Sequence, residues 1–173
     1  MSQRQSCCVV DYLLEGSGGV RPFKAEDQPG IDQVIAVVFK DLLSPSRLDF
    51  YAHDHDPKLT LVYEREGRIV GCYLLKENSV LSAVEEGAKP LEDLEKYRNL
   101  RGIEGVALAI LPEYQYNIGA AIELLSRPTE MGFDYMWGAQ NAKLGNLLKW
   151  TKLSRLVAVC EGPPKWTVTL RDL

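Results

Sequence analysis

Residues 104–120 read EGVALAILPEYQYNIGA, an apolar run closed by proline and followed by a turn into small residues. The uninterrupted stretch Val106 to Leu111 has the length of a buried strand, far short of the about 20 residues that a membrane-spanning helix needs. Pro112 ends the strand, because proline has no N–H to give a sheet ladder. A helix is expected to open near Gly119 and to carry Ile122 and Leu125 on its apolar side, with Pro128 kinking or ending it. The segment is therefore strand, loop, helix, the repeating step of an α/β layer.

The flanking chain extends the same alternation. Upstream, Cys8 to Leu14 and Val20 to Lys24 flank the turn Gly16-Ser17-Gly18-Gly19 and read as two strands. From Ile31 the positions Ile31, Val34, Ile35, Val38, Phe39, Leu42 and Leu43 recur at steps of three and four, predicting an amphipathic helix started by Asp27 and Pro29. Ser44-Pro45 starts a shorter helix over Arg47 to Ala52. Leu59 to Glu64 and Ile69 to Lys76 alternate around Glu66-Gly67 as a second hairpin. Residues 77–100 mix charges with Gly87 and Pro90, have only a weak helical period in PLEDLEKYRNL, and read as an irregular excursion. Downstream come a strand over Phe133 to Gly138, a helical stripe at Leu144, Leu147 and Leu148, and closing strands at Leu156 to Cys160 and Trp166 to Leu170. The expected fold is an α/β single domain over residues 1–173.

Composition narrows the function classes. With 173 residues, 46% hydrophobic and 25% charged, the chain has the profile of an ordinary soluble globular domain rather than a disordered or membrane protein. The net charge of -4 comes without a basic run, which argues against a nucleic-acid or anionic-membrane partner. Asp11 interrupts the apolar N-terminal stretch and no small-residue cleavage pattern follows, so no secretion is inferred. Cys7, Cys8, Cys72 and Cys160 form no CxxC pair, and reduced thiols in a cytoplasmic protein are the simplest expectation. His53-Asp54-His55-Asp56 offers at most two ligands on one face without a third, and is read as polar surface loop rather than a metal site.

The strand ending in Pro-Glu-Tyr, then Gln115-Tyr116-Asn117-Ile118-Gly119-Ala120, resembles the acetyl-CoA pyrophosphate loop of the GNAT acetyltransferase superfamily, whose pattern is Gln/Arg-x-x-Gly-x-Gly/Ala. It matches at Gln115 and Ala120 and departs at Ile118, where the pattern has glycine. VRPFKAEDQPGIDQVIAVVF resembles the family's opening strand and first helix, YEREGRIVGCYLL its second and third strands, and EMGFDYMWGAQN the end of its third helix and its fifth strand. The likeness runs from Val20 to about Arg155. It implies a mixed, mostly antiparallel twisted sheet of about seven strands flanked by about four helices, with acetyl-CoA as co-substrate.

The resemblance also assigns roles. Successive backbone N–H groups of residues 115–120 at a helix N-terminus would hold the pyrophosphate, where the helix dipole favours an anion. The backbone of Leu108, Ala109 and Ile110 would bond the pantetheine arm, one amide polarising the thioester carbonyl. Glu104 stands where many members carry a strand-borne general base; its other reading is a solvated strand-end residue. A base is needed because an amine with pKa near 10.4 is protonated at neutral pH, a barrier of roughly 4 to 5 kcal/mol. The family's acid is a tyrosine after an asparagine, in a pattern like Asn…Tyr-x-Lys-x-Gly-Phe. Here the pattern falls on Asn141 and on Trp150 in place of tyrosine, leaving Tyr116 and Tyr135 as substitutes that otherwise read as packing aromatics.

The implied activity is transfer of acetyl from acetyl-CoA to a primary amine of a small-molecule or peptide acceptor, by direct attack in a ternary complex. A homodimer is compatible with it. The rivals are a GNAT-like module that binds acyl-CoA without turnover, favoured by the departures at Ile118 and Trp150, and an acyltransferase with another acyl chain or an oxygen acceptor.

Overall fold

A computed structural model describes residues 19–141, 154–160 and 166–173. Helix α1 (Gln28–Phe39) begins with proline in its first turn and buries Ile31, Val34 and Ile35, the front of the expected stripe. It stops earlier than the sequence periodicity runs: Leu42 and Leu43 donate backbone hydrogen bonds to the Phe39 carbonyl in a turn, and Leu42 is exposed. The reason lies at Ser44, extended at ψ 158°, because the following proline disfavours helical geometry there; α2 (Pro45–His53) starts immediately after it.

Strand β1 (Val20–Pro22) pairs antiparallel with β2 (Leu61–Arg65), which turns back through Glu66 and Gly67 into β3 (Arg68–Glu77). Both turn residues have positive φ, 51° and 72°, the type I′ arrangement whose twist matches the hairpin. Strand β5 (Gly102–Ile110) then lies antiparallel beside β3. Arg21 on β1 bonds Asp27, just before α1, while Tyr63 on β2 receives a hydrogen bond from Asn117, just before α4 (Ile118–Ser126). Arg21 pairs in register with Val62, the neighbour of Tyr63, so α1 and α4 begin on opposite faces of the sheet.

Residues 77–100, read from sequence as an irregular excursion, contain a short helix α3 (Leu81–Glu85), a two-residue strand β4 (Lys89–Pro90) and a 3-10 turn (Glu95–Tyr97) in place of the weak helical period. They cover a second core. Strands β6 (Tyr135–Asn141), β7 (Arg155–Cys160) and β8 (Trp166–Asp172) complete one sheet in the order β1-β2-β3-β5-β6-β8-β7-β4. The eighth strand relative to the expected seven is β4, paired with β7. Pro128 ends α4 as expected, in a 3-10 turn over Arg127–Glu130. The expected strand Cys8 to Leu14 and the helical stripe Leu144 to Leu148 lie outside the described residues. None of the described helices is long and apolar enough to cross a membrane.

Two apolar clusters divide this sheet. One gathers α1, α4 and strands β1, β2, β3 and β5; the other packs Val80, Ala83, Leu94 and Tyr97 onto Tyr135, Trp137, Val157 and Leu170. The halves meet along the parallel contact of β5 with β6, which has only three register pairs, Gly102↔Tyr135, Ile103↔Met136 and Glu104↔Trp137. A Cβ on Gly102 would sit 2.4 Å from the Tyr135 ring and 2.6 Å from the Asn78 carbonyl oxygen. Gly102→Ala is therefore expected to cost about 1–3 kcal/mol, measured as a lower denaturation midpoint at unchanged slope, because neither a buried ring nor a backbone carbonyl can yield cheaply.

Candidate active site

Beyond Glu104 and Trp137 the two parallel strands part: β5 continues to Ile110 along β3, and β6 to Asn141 along β8. In that stretch their facing N–H and C=O groups take no ladder partner from each other. The point of divergence is lined by glycine on both sides. A Cβ on Gly138 would come 3.1 Å from the Gly105 carbonyl oxygen, and one on Gly105 would press to 2.7 Å from the Tyr73 hydroxyl. Opposite β3 the register slips between Leu74 and Leu75, leaving Val106 as an extra residue of β5. Such a bulge twists a strand and re-aims its groups.

Glu104 stands at the closed end of this opening with its side chain 16% exposed. It faces the α1 and α2 side of the sheet, paired in register with Lys76. Asn78 Nδ2 donates to Glu104 Oε2 at 2.8 Å, and Lys76 Nζ lies 3.4 Å from the same oxygen. Lys76 also donates to Asp54 Oδ2 at 2.7 Å, beyond the last turn of α2. Burial works against the charge on Lys76, yet its bonds to Asp54 and Glu104 outweigh that and hold its pKa above the usual lysine value.

The other end of β5 carries the loop. Six residue steps along the strand take Glu104 to Ile110, about 20 Å. Pro112–Tyr114 form a 3-10 turn, Gln115 Nε2 reaches back to the Ile110 carbonyl at 3.0 Å, and α4 begins at Ile118. Asn117 caps the helix, its Oδ1 accepting from Ala120 N at 3.1 Å while its Nδ2 donates to Tyr63 Oη at 2.8 Å. Neither Ile118 nor Gly119 has a positive φ. The position where the family pattern has glycine is thus the first residue of an ordinary helix, a conformation open to isoleucine. Helix geometry leaves the N–H groups of Ile118 and Gly119 without an intrahelical acceptor.

The sequence-predicted residues fall into distinct places. Leu108, Ala109 and Ile110 follow the point where β5 leaves β6, and Gln115 to Ala120 form the loop and first helical turn. Tyr116 is 90% exposed on that loop. Tyr135 lies elsewhere: fully buried, its hydroxyl accepts from Val80 N at 3.1 Å and lies 3.4 Å from Ser79 Oγ, and its ring packs on Tyr97 in the second core. Those contacts set its ring and hydroxyl among packed neighbours at the seam. Asn141 ends β6, and Trp150 lies outside the described residues. Sequence reading missed Lys76, Asn78 and Asp54 around Glu104, and Tyr73 beneath Gly105. The only signal was the charged end of the strand Ile69 to Lys76, whose register with β5 depends on the 77–100 excursion.

Of the His53 to Asp56 group, His53 is exposed, whereas His55 shares a hydrogen bond with Thr60 Oγ1 at 2.8 Å and stacks edge-on against Phe23. Burial lowers the His55 pKa. Among the described residues no three His, Cys, Asp or Glu side chains come together as a metal site. Cys72 is fully buried, and burial pushes its thiol up to about 12, so it is chemically quiet.

Asn117→Ala should cost about 1 kcal/mol of stability by removing the cap, seen in thermal melts. The Tyr63→Phe change, which keeps the cap and removes only its tether, should cost less.

No family model and no curated protein matches the sequence. Solved structures do match. A polyamine N-acetyltransferase from Drosophila melanogaster superposes with a TM-score of 0.66 at 13% identity, over 90% of this chain and 100% of its own. An N-acyl amino acid synthase from uncultured soil microbes gives 0.65 at 11%, covering 91% of each chain. An N-acetylglutamate synthase from Neisseria gonorrhoeae, solved with coenzyme A and N-acetyl-glutamate, gives 0.56 at 14%, over 92% of this chain and 36% of its own. With the parted parallel strands and the strand-loop-helix unit in place, the chain has the fold of the GNAT superfamily.

Proposed function

We propose that this protein is an N-acetyltransferase that moves the acetyl group of acetyl-CoA to a primary amine, with Glu104 as general base. The observation that carries the reading is the parting of β5 from β6 between a half-buried carboxylate at one end and a capped helix N-terminus at the other. The residues fit the co-substrate: α4 offers N–H groups and the positive end of its dipole to a pyrophosphate, and the unpaired edge of β5 at Leu108 to Ile110 offers backbone donors and acceptors to an extended amide arm.

Acetyl-CoA supplies a carbonyl carbon activated as a thioester. Glu104 accepts the proton of the acceptor ammonium, directly or through one water, freeing the nitrogen lone pair. The nitrogen attacks the carbonyl carbon, a C–N bond forms, the C–S bond breaks with its electron pair leaving on sulfur, and the proton that nitrogen sheds on becoming an amide goes to solvent. A thiol with pKa comparable to the ~8.5 of cysteine leaves readily as thiolate, so solvent protonation suffices. Tyr135 has its hydroxyl engaged in the second core and is assigned no part in this step; Tyr116, exposed on the loop, is the tyrosine proposed to reach the coenzyme A end.

The acceptor is proposed to be a small-molecule amine, in line with the polyamine named for one structural neighbour. A binding module without turnover is the second reading, favoured by tryptophan at position 150 where the family has tyrosine.

Acetyl-CoA at 100 times its Kd should stabilise the protein by about 2.7 kcal/mol in thermal melts. No shift at millimolar concentration would remove the co-substrate. With an amine panel and thiol detection, Glu104→Gln is expected to lower kcat by about 10²-fold or more while acetyl-CoA still shifts the melt. A shift without thiol release from any amine would favour the binding module.

A further inference from the structure

Asn78 is fixed by both halves of the sheet at once. Its N–H donates to the Gly102 carbonyl at 3.1 Å, and its own carbonyl accepts from Trp137 Nε1 at 2.9 Å. Its side-chain amide is thereby held against Glu104 Oε2. Lys76, one strand over, approaches that same oxygen and is anchored from behind by Asp54. Among the described residues no donor is placed on Glu104 Oε1.

We propose that Asn78 and Lys76 are positioning residues for Glu104: together they occupy Oε2 and present Oε1 as the proton-accepting oxygen, with Lys76 as the counter-charge and Asp54 as its anchor. This rests on Glu104 being the base. A carboxylate free to rotate has no fixed direction, whereas one oxygen held by a hydrogen-bond donor and a nearby cation leaves the other aimed one way. Among the described residues, Lys76 from β3 is the charged group paired with Glu104, and Asp54 at the end of α2 lies behind it on Lys76. The neighbouring charges are engaged elsewhere, Glu77 with Arg101 and His53 with Asp49 on exposed surfaces. Trp137, beside Glu104 on β6, is uncharged and buried.

The test is the split between kcat and KM for thiol release, with melts as a check on folding. Asn78→Ala should lower kcat by about tenfold with the KM for acetyl-CoA within twofold, the loss expected when one hydrogen bond to a charged group is removed. Asn78→Gln should recover part of it. Lys76→Met should likewise lower kcat more than it changes the KM for acetyl-CoA, since the cation beside Oε2 is gone, while Lys76→Arg keeps most of the rate. If Asn78→Ala does not fold, Lys76→Met and Asp54→Asn read the same split. Unchanged kcat in both Asn78→Ala and Lys76→Met, in a protein where Glu104→Gln is impaired, overturns the positioning. A fully active Glu104→Gln overturns it differently, by removing the base itself.

Discussion

Three register pairs of parallel backbone hold the two halves of this protein's sheet together, and the way that contact ends governs what the molecule can do. A parallel ladder could have run on to Ile110. It stops because β5 bulges at Val106 against β3 and follows that neighbour away, while β6 follows β8. Where two strands separate inside a sheet, each keeps one row of N–H and C=O groups whose natural partner has gone, and buried backbone groups need partners. Water can serve, and so can an extended polar ligand with amides of its own. The glycines at 105 and 138 let the backbones nearly touch where the opening closes.

The seam also explains the two separate cores. A sheet whose halves diverge cannot bury one continuous apolar surface, so α1 and α4 serve one half and residues 77–100 serve the other. The interactions that tie them are polar and local: Trp137 to Asn78, Val80 to Tyr135, and Asp134 with Arg101 across the start of both strands. Placing the proposed base at this junction gives it a rigid floor, since Glu104 moves only if the seam moves. Beside it, the end of α2 is tied to β3 by the hydrogen bond that Lys76 donates to Asp54.

Much of this architecture was readable in residues alone, and the reasons are specific. The step-of-three-and-four stripe of α1, the alternation of β2 and β3 around Glu66-Gly67, and the apolar run before Pro112 are each local signals that the fold obeys. What escaped was set by long-range pairing. Residues 77–100 have no period because their apolar side chains, Val80, Ala83, Leu94 and Tyr97, are spaced to fit a curved surface rather than a helix face. Tyr135 read first as a packing ring and second as a reactive hydroxyl, and its partners Val80 and Ser79, more than fifty residues away, could not be foreseen from its neighbours in sequence. Glu104 could be singled out, but the donors on it could not, since Lys76 meets it through a register fixed beyond a bulge.

Isoleucine at 118 is the clearest departure from the resembled loop, and its physical meaning differs from what a missing glycine would suggest. Glycine is required where φ is positive or where a ligand needs the space of a Cβ. The first condition does not apply, since α4 starts at Ile118 with ordinary helical geometry and Gly119 follows without a left-handed turn. The N–H groups of that first turn therefore point along the helix axis whatever the side chain, and anion binding at a helix end depends on them. Asn117 already satisfies the N–H of Ala120, so an arriving pyrophosphate would draw chiefly on Ile118 and Gly119, or displace the cap and its tether to Tyr63. If the loop holds a pyrophosphate as proposed, its constraint is competition for amide groups rather than backbone flexibility, and it lies in the asparagine that precedes the helix.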